Sequence, residues 1–516
     1  MVNKTLMFPH FLFLTLLGVT LSSAATLAKP NIIVIMADDL GYGDASCYGG
    51  AVFKTPNIDK LAIQGQRFTN AYCSASTCTP SRYSMLTGTY AFRKEGTGIA
   101  PPNGPALIHP GTTTLPSLLK QAGYRTAVIG KWHLGFGDIK PDWNGELTPG
   151  PLEIGFDECF LLPTTNDRVP QVFVENHRVL NLDPADPLTV SDKPISPNAP
   201  TGITHRSKLK MDWSHGHNDT IQNGISRIGF YTGGMAARFR DEDLADKWME
   251  KSKAFIAANK DKPFFLFFAS HDIHVPRIPH ERFQGKSGCG PRGDSALQLD
   301  WCVGEIMAAL DENKLTESTL VVFCSDNGPV LDDGYKDGAV TQLGKHDPSG
   351  PYSGGKYTIF EGGTRTPFIT RWPGKIPVGE SEQLVCILDF AASFAALAGV
   401  PLPDDACLDS LNMLPVLLGE KGAKGRTELV QQDNGGQKGS LGLRSGDWKL
   451  MRAFKFPSGP AVISKRPIPR PKNLHSLYYL PDDPAEMKDL STENPRKTEE
   501  LAKRLDAIIG AGRGRP

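Results

Sequence analysis

Residues 78–88, Cys-Thr-Pro-Ser-Arg-Tyr-Ser-Met-Leu-Thr-Gly, combine side chains that can hold and attack an oxyanion. Thr79 is a favourable N-cap residue and Pro80 suits the first helical position, so the run predicts the start of a helix. Cys78 would then lie among unpaired backbone N–H groups, which favour an anion. Arg82 follows one helical turn later, and its guanidinium group can return to the same place. A cation, a helix N-terminus and a reactive side chain therefore meet here.

Four apolar runs that we predict to be strands end in polar clusters. In an open α/β sheet, ligand sites form beyond the carboxyl ends of the strands. The clusters are Asp38-Asp39, Gly130-Lys131-Trp132-His133, Ser270-His271-Asp272-Ile273-His274 and Ser325-Asp326-Asn327-Gly328. The first and last clusters offer hard oxygen ligands, which suit Ca²⁺ or Mg²⁺ better than a transition metal. In extended chain, Lys131 and His133 point to the same side.

The run at 78–88 resembles the first signature of the type I, formylglycine-dependent sulfatases, an arylsulfatase-like family in the alkaline-phosphatase superfamily. Residues 123–133, Gly-Tyr-Arg-Thr-Ala-Val-Ile-Gly-Lys-Trp-His, resemble the second signature of that family. The resemblance covers nearly the whole mature chain and is most specific between residues 31 and 134. It implies that a maturation enzyme oxidises Cys78 to formylglycine and that the chain hydrolyses sulfate monoesters.

The resemblance also implies one divalent cation. Its implied ligands are Asp38, Asp39, Asp326, Asn327 and the residue made from Cys78. We prefer Ca²⁺ to Mg²⁺, because oxygen-only protein sites suit the flexible coordination of Ca²⁺.

Roles for the remaining site residues follow from the same resemblance. The hydrated aldehyde at position 78 would attack sulfur as an alkoxide, a form that Arg82 and the cation favour. Lys131 and Lys356 would offset negative charge on the sulfate oxygens. His274 would protonate the leaving alcohol, and His133 would take the proton of the second hydroxyl as sulfate is expelled.

The substrate beyond the sulfate group is less determined. An irregular, polar insertion from residue 163 to about 231 favours a sulfated carbohydrate over a small aryl sulfate, with a galactose or N-acetylgalactosamine sulfate as one specific hypothesis. We expect sugar contacts from Thr165, Arg168, His215, His217, His271, Asp333 and His346. Many relatives carry a serine and a histidine in the loop at 163–167, where this chain has Thr165 and Asn166.

Two other functions compete with this hypothesis. A phosphate or phosphonate ester hydrolase of the same superfamily would share the fold, and some of these enzymes also use a formylglycine. An inactive protein that binds sulfated glycans would keep Cys78 unoxidised. Comparing the turnover of sulfate esters with that of phosphate esters distinguishes the sulfatase from the first alternative. Mass spectrometry of residue 78 distinguishes it from the second, because it shows whether Cys78 is oxidised.

A large sheet has to position these residues. The alternation of apolar runs with helical patterns predicts an α/β fold with a large mixed, mostly parallel sheet flanked by helices, alkaline-phosphatase-like, and a smaller C-terminal α+β subdomain. The predicted strands are 31–37, 125–129, 263–269, 319–324, 442–453 and 476–480. The predicted helices are 58–64, 114–122, 247–258, 296–313, 387–399 and 495–509.

Composition and the chain ends complete the prediction. The chain has 516 residues with 56 basic and 56 acidic side chains, so its net charge attracts neither nucleic acid nor an anionic membrane. Residues 1–28 read as a signal peptide, which predicts export to a periplasmic, extracellular or lumenal space without stable membrane insertion. We expect a catalytic domain at 29–420 and a C-terminal subdomain at 421–516, formed by a small antiparallel sheet and a helix. The nine cysteines form no paired CxxC motif, which argues against structural zinc.

Overall fold

The computed structural model describes residues 1–2, 29–50, 52–435, 439–452, 454, 459, 461–471 and 473–515. The predicted signal peptide therefore lies, apart from its first two residues, outside the described residues. Among the helices that the structure describes, none combines the length and the apolar character needed to cross a membrane.

A ten-stranded mixed sheet forms the centre of the protein. In spatial order its strands are β15 (Gly379–Ser381), β2 (Gln66–Phe68), β14 (Ile369–Arg371), β13 (Thr319–Ser325), β1 (Asn31–Ala37), β12 (Phe264–Ala269), β4 (Arg125–Lys131), β5 (Glu158–Leu162), β6 (Val174–Glu175) and β7 (Arg178–Val179). Strands β13, β1, β12, β4 and β5 run parallel, and antiparallel pairings occur towards both edges. The prediction of a mixed, mostly parallel sheet is confirmed.

Helices cover both faces of this sheet because successive side chains of its strands point to opposite sides. Ile33 and Ile35 of β1 join the core under α1 (Pro56–Ile63), α4 (Leu244–Ala258) and α5 (Gly290–Glu312). Ile32 and Val34 join the core on the other face, under α2 (Cys78–Thr87), α3 (Leu115–Gln121), α7 (Phe390–Ala398) and α8 (Leu414–Leu417). Burial on both faces explains why these strands read as continuous apolar runs.

Short elements fill the connections. The paired strands are β3 (Ala71–Tyr72) with β16 (Val385–Cys386), β8 (Thr189–Ser191) with β11 (Phe230–Thr232), and β9 (Ile221–Gln222) with β10 (Ile225–Ser226). The short helix α6 (Glu361–Thr364) follows the glycine-rich loop that carries Lys356. Strands β8 to β11 belong to the polar insertion, where the sequence predicted no regular structure.

The C-terminal part forms a separate four-stranded antiparallel sheet, as predicted. Its strands are β17 (Glu428–Gln432), β18 (Leu441–Ser445), β19 (Trp448–Arg452) and β20 (His475–Tyr479), and α9 (Pro495–Gly510) packs on it. The single strand predicted at 442–453 was wrong, because β18 and β19 form a hairpin in which Ser445 pairs with Trp448. The tight turn depends on Gly446, whose φ of 56° lies in the left-handed region.

Candidate active site

The carboxyl ends of four adjacent parallel strands bring the polar clusters to one edge of the sheet. The Asp38 N–H, after β1, donates to the Asp272 carbonyl after β12 at 2.8 Å. The Asp326 N–H, after β13, donates to the Ala37 carbonyl at 3.1 Å. Gly130, next to last in β4, has no room for a side chain, since a Cβ would lie 1.9 Å from the Ala269 carbonyl oxygen. Close packing of β4 against β12 thus fixes the backbone position from which the Lys131 side chain extends.

Helix α2 begins at Cys78, two residues earlier than the sequence predicted. Thr77 is the N-cap residue, and Pro80 occupies the third helical position, where a missing N–H also costs no helical hydrogen bond. Thr79 therefore does not cap the helix. Its hydroxyl donates to the His133 carbonyl at 3.1 Å and accepts the Ala100 N–H at 3.2 Å, so it ties the helix to the loop after β4.

Cys78 is buried, 2% exposed, with its Sγ 3.1 Å from His133 Nδ1. His133 Nε2 lies 3.0 Å from the Ala100 carbonyl oxygen, which can only accept, so Nε2 carries the proton and Nδ1 is the acceptor. Burial, together with Lys131 and Arg168, lowers the pKa of His133 well below its ordinary value. Burial raises the pKa of the Cys78 thiol. The unmodified thiol is therefore a poor nucleophile, although it faces a proton acceptor.

The side chains of Asp38, Asp39, Asp326 and Asn327 offer the oxygen ligands that a hard cation prefers. Asn327 Nδ2 donates to Asp39 Oδ1 at 2.7 Å. Asp38 Oδ1 and Asn327 Oδ1 are buried and have no hydrogen-bond partner among the described residues. Burial, with the Asp326 carboxylate next in importance, raises the pKa of Asp38 well above its ordinary value. Buried acceptors without donors and crowded carboxylates fit a hard divalent cation.

His274 lies beside the same cluster. Potential ligand atoms of Asp38, Asp39 and His274 lie within 4.8 Å of one another. The Nδ1 of His274 donates to the Val275 carbonyl at 2.7 Å, which leaves Nε2 facing Asp39 Oδ2 at 4.0 Å. Burial, with Lys356 and Lys131, lowers the pKa of His274 well below its ordinary value. His274 thus presents a neutral Nε2 to the site.

Arg82 is fully buried and links Asp326 to the end of β4. Its Nε and Nη2 donate to Asp326 Oδ2 at 2.9 and 2.7 Å, and its Nη1 donates to the Lys131 carbonyl at 3.0 Å. Lys131 Nζ in turn donates to Asp38 Oδ2. Arg82 therefore orients Asp326 and the end of β4, and its hydrogen bonds to the described residues are made there and not to Cys78.

Lys356 bridges two carboxylates. Its Nζ donates to Asp39 Oδ2 at 3.0 Å and to Asp333 Oδ2 at 2.9 Å. Burial opposes the charged form, but Asp333 and Asp39 raise the pKa of Lys356 well above its ordinary value. The Tyr357 hydroxyl donates to Asp333 at 2.9 Å. Asp333, which we predicted to contact sugar, thus positions a lysine in this structure.

Three non-glycine residues of the site have left-handed backbone conformations. The φ angles are 59° at Asp39, 58° at His133 and 72° at Tyr357. Such conformations cost about 1–3 kcal/mol each and persist where surrounding contacts enforce them. Their concentration around Cys78 supports a functional site.

The polar insertion gathers several predicted sugar contacts around Asp167, a residue that sequence reasoning missed. Arg168 Nη1 donates to Thr165 Oγ1 at 2.9 Å and to Asp167 Oδ1 at 2.9 Å. His217 Nε2 lies 2.9 Å from Asp167 Oδ2, and its Nδ1 donates to the His215 carbonyl at 2.9 Å. Despite burial, Arg168 and His217 hold the pKa of Asp167 well below its ordinary value. These side chains form one charged network beside the site.

Two predicted sugar contacts point elsewhere. His271 Nδ1 accepts the Trp248 indole N–H at 3.0 Å, inside the helical layer. His346 Nε2 lies 2.8 Å from Asp44 Oδ1, and Asp44 also binds Arg292. Both histidines are buried, and a buried polar side chain takes the nearest partner available. We therefore do not include His271 or His346 among the proposed sugar contacts.

Sulfatase family models match most of this chain. The family model described as Sulfatase matches residues 30–400, and one described as N-sulphoglucosamine sulphohydrolase, C-terminal, matches residues 354–458. The chain is 48% identical to an N-acetylgalactosamine-6-O-sulfatase of Bacteroides thetaiotaomicron, over 93% of either protein. It is 35% identical to human arylsulfatase A, over 77% of this chain and 70% of that protein.

A solved structure from work on glycosaminoglycan metabolism by Bacteroides thetaiotaomicron is also similar. It superimposes with a TM-score of 0.90 at 47% identity and covers 94% of this chain and 100% of its own. The similarity thus extends over nearly the whole chain.

Proposed function

The chain belongs to the sulfatase family, and from that premise we propose that it removes sulfate from a sulfated glycan through a formylglycine made from Cys78. The observation that carries this proposal is the position of Cys78. It lies at the start of α2 with Sγ 3.1 Å from a neutral histidine nitrogen, while the unmodified thiol has a raised pKa. A side chain so placed gains reactivity from oxidation, because an aldehyde hydrate would present hydroxyls where Sγ now lies.

The implied cation fits the residues that are present. Asp38, Asp39, Asp326 and Asn327 would hold it together with residue 78, and we propose Ca²⁺ because all the protein donors are oxygens. When bound, a divalent cation polarises sulfate oxygens and lowers the pKa of a neighbouring hydroxyl.

The protein's own side chains would handle charge and protons. Lys131, at the end of β4, and Lys356, in the glycine-rich loop before α6, are buried cations that would oppose negative charge on the sulfate oxygens. His133 Nδ1 would accept a proton from the side chain at position 78. His274 Nε2 would hold the proton that passes to the leaving alcohol, because an anionic sulfate ester beside Lys356 and Lys131 would offset the positive charges that now lower the pKa of His274. Arg82 would keep Asp326 and Lys131 in place.

An N-acetylgalactosamine 6-sulfate within a glycan is the substrate that we propose. The support is the 48% identity to a relative with that activity, together with the network of Arg168, Thr165, Asp167 and His217 beside the site. The Arg168 side chain is 15% exposed, and its hydrogen bonds to the described residues use only Nη1, so we propose that the rest of its guanidinium group contacts the sugar.

Processing and organisation complete the proposal. We propose export through the signal peptide at 1–28, oxidation of Cys78 by a maturation enzyme, a catalytic domain at 29–420 and a C-terminal subdomain at 421–516. These assignments rest on the sequence patterns and on the family membership.

The experiment is a panel of defined sulfated mono- and oligosaccharides, with release of free sulfate as the readout. We expect fastest release from 6-sulfated N-acetylgalactosamine and slower release from the 4-sulfated isomer. Aryl sulfate and aryl phosphate esters are compared in parallel, and faster phosphate cleavage would replace the sulfatase with a phosphate ester hydrolase. Peptide mass spectrometry of residue 78 accompanies each preparation. Plain cysteine in a native preparation that binds glycans without releasing sulfate would favour the inactive binding protein.

A further inference from the structure

The C-terminal sheet ends directly against the segment that leads into Cys78. The Gln432 N–H, at the end of β17, donates to the Ser74 carbonyl at 3.1 Å. The Ser76 N–H donates to the Gln432 carbonyl at 2.9 Å, so that Ala75 and Gln432 form a parallel bridge. One residue of the C-terminal sheet thus holds the backbone two residues before the start of α2.

The side chain of Gln432 reaches the other end of the same helix. Its Oε1 accepts the Phe92 N–H at 2.9 Å, in the turn that follows α2. Gln432 is fully buried. Its backbone and its side chain therefore fix the chain before and after the helix that carries Cys78 and Arg82.

The segment that Gln432 binds before α2 also contacts the loop that carries Lys356. The Tyr357 N–H donates to the Ser76 carbonyl at 2.9 Å, so Ser76 lies between Gln432 and the Lys356 loop. Val462, between β19 and β20, exchanges backbone hydrogen bonds of 3.0 Å with Asp332. Asp332 directly precedes the carboxylate that positions Lys356.

We propose that Gln432 is a positioning residue for catalysis. It binds the chain on both sides of α2 and thereby holds residue 78 in place beside His133 and Lys131. The C-terminal sheet then forms part of the catalytic apparatus although Gln432 touches no reacting atom. The kinetic part of the test rests on the proposed sulfatase function, while the exchange measurements below do not.

The matched pair of variants is Gln432→Met and Gln431→Met. Both glutamines are fully buried in β17, but the Gln431 side chain donates to the Thr364 hydroxyl at 2.5 Å and not to the turn after α2. We expect Gln432→Met to lower kcat about tenfold to a hundredfold, since small displacements of reacting groups have effects of that size. KM should change less than kcat, because the substitution removes only the side-chain bond to Phe92 and keeps the backbone bonds through which Gln432 reaches Ser76 and the Lys356 loop. Gln431→Met should lower stability comparably and leave kcat within about threefold of the wild type.

Amide hydrogen exchange tests the clamp without turnover. In the wild type, the Ser76 and Phe92 amides should exchange together with those of β17, and Gln432→Met should accelerate exchange at Phe92 while Gln431→Met does not. Equal kcat values for the two variants, or Ser76 and Phe92 amides that open independently of β17 in the wild type, would overturn the proposal. A wild type that releases no sulfate but shows the linked exchange would refute the proposed function and retain the clamp. If Gln432→Met does not fold, hydrogen exchange in the wild type still tests the proposal, because the Ser76 and Phe92 amides must exchange together with those of β17.

Discussion

His133 presents Nδ1 to Cys78 Sγ at 3.1 Å, and its tautomer is fixed by the Ala100 carbonyl 3.0 Å from Nε2. The ring therefore faces position 78 as a proton acceptor in the substrate-free protein. Burial and nearby cations keep it neutral. This arrangement suits the step in which a proton leaves position 78 and sulfate is expelled.

Replacing this histidine should stall that step. We expect His133→Ala to lower kcat about 10²–10⁴-fold, the usual contribution of a general base. Enzyme that still carries sulfate should accumulate during turnover and be visible by intact-mass spectrometry. Thr79→Val is the control, because it removes the hydroxyl that donates to the His133 carbonyl and accepts the Ala100 N–H but keeps the imidazole, and it should cost far less. Turnover of His133→Ala within about tenfold of the wild type would contradict this role.

The unpartnered oxygens of Asp38 and Asn327 lead to a second prediction. A chelator should lower the thermal unfolding midpoint of the wild type, and added Ca²⁺ should restore it. At a free Ca²⁺ concentration a hundred times its Kd, binding raises the free energy of unfolding by about 2.7 kcal/mol. Asn327→Leu removes one oxygen ligand and should abolish most of this response.

Two controls make the metal experiment specific. Asn198→Leu changes an exposed asparagine and should respond to Ca²⁺ like the wild type. Mg²⁺ at the same free concentration should stabilise less, because it demands a small octahedral site and keeps its waters. A midpoint that ignores chelator and both ions would contradict a cation site here.

Prediction from the sequence succeeded where local pattern decides the structure. The apolar runs at 31–37 and 319–324 identified buried parallel strands, and the residues after them met at one edge as the topology requires. Partners distant in the chain were invisible. His346 was predicted to contact sugar because its loop is polar, but its partner Asp44 lies 302 residues away. Asp167 was missed for the same reason, since its partner His217 is 50 residues away. The start of α2 was misplaced because proline is tolerated throughout the first turn.

Arg168 should distinguish a glycan from a small substrate. Losing a hydrogen bond to a charged group costs about 1.5–3 kcal/mol, so Arg168→Ala should raise KM for a sulfated oligosaccharide about tenfold to a hundredfold. An aryl sulfate has no sugar for the guanidinium group to contact, so its KM should change much less, through the loss of the Arg168 charge near His133 alone. Arg206→Ala is the matched control, because Arg206 lies in the same insertion but pairs with the half-buried Asp212 near the surface. Equal changes on both substrates would show that Arg168 acts on the sulfate site and not on the sugar.

A buried lysine between two glutamates joins the main body to the C-terminal sheet. Lys449 Nζ lies 2.9 Å from Glu361 Oε1 and 2.8 Å from Glu486 Oε1, and the Glu361 N–H donates to Glu486 Oε2 at 2.6 Å. Burial, with the Glu361 carboxylate, raises the pKa of Glu486 to about 7. Despite burial, Lys449 and Arg365 lower the pKa of Glu361 to about 2. The two carboxyls therefore titrate in separate ranges.

The contribution of Glu486 to the free energy of unfolding should fall as pH rises from about 4.5 to 7, because the folded state keeps a proton on Glu486 that the unfolded chain releases. The slope from this group approaches 1.4 kcal/mol per pH unit within that window and vanishes above it. Urea unfolding at half-unit steps from pH 5 to pH 8 measures it in the wild type and in Glu486→Gln. The difference between the two curves should carry the slope, since glutamine cannot titrate. Glu493→Gln, at an exposed glutamate, should run parallel to the wild type. Parallel curves for Glu486→Gln and the wild type would mean that Glu486 is ionised throughout this range and that Lys449 neutralises both carboxylates.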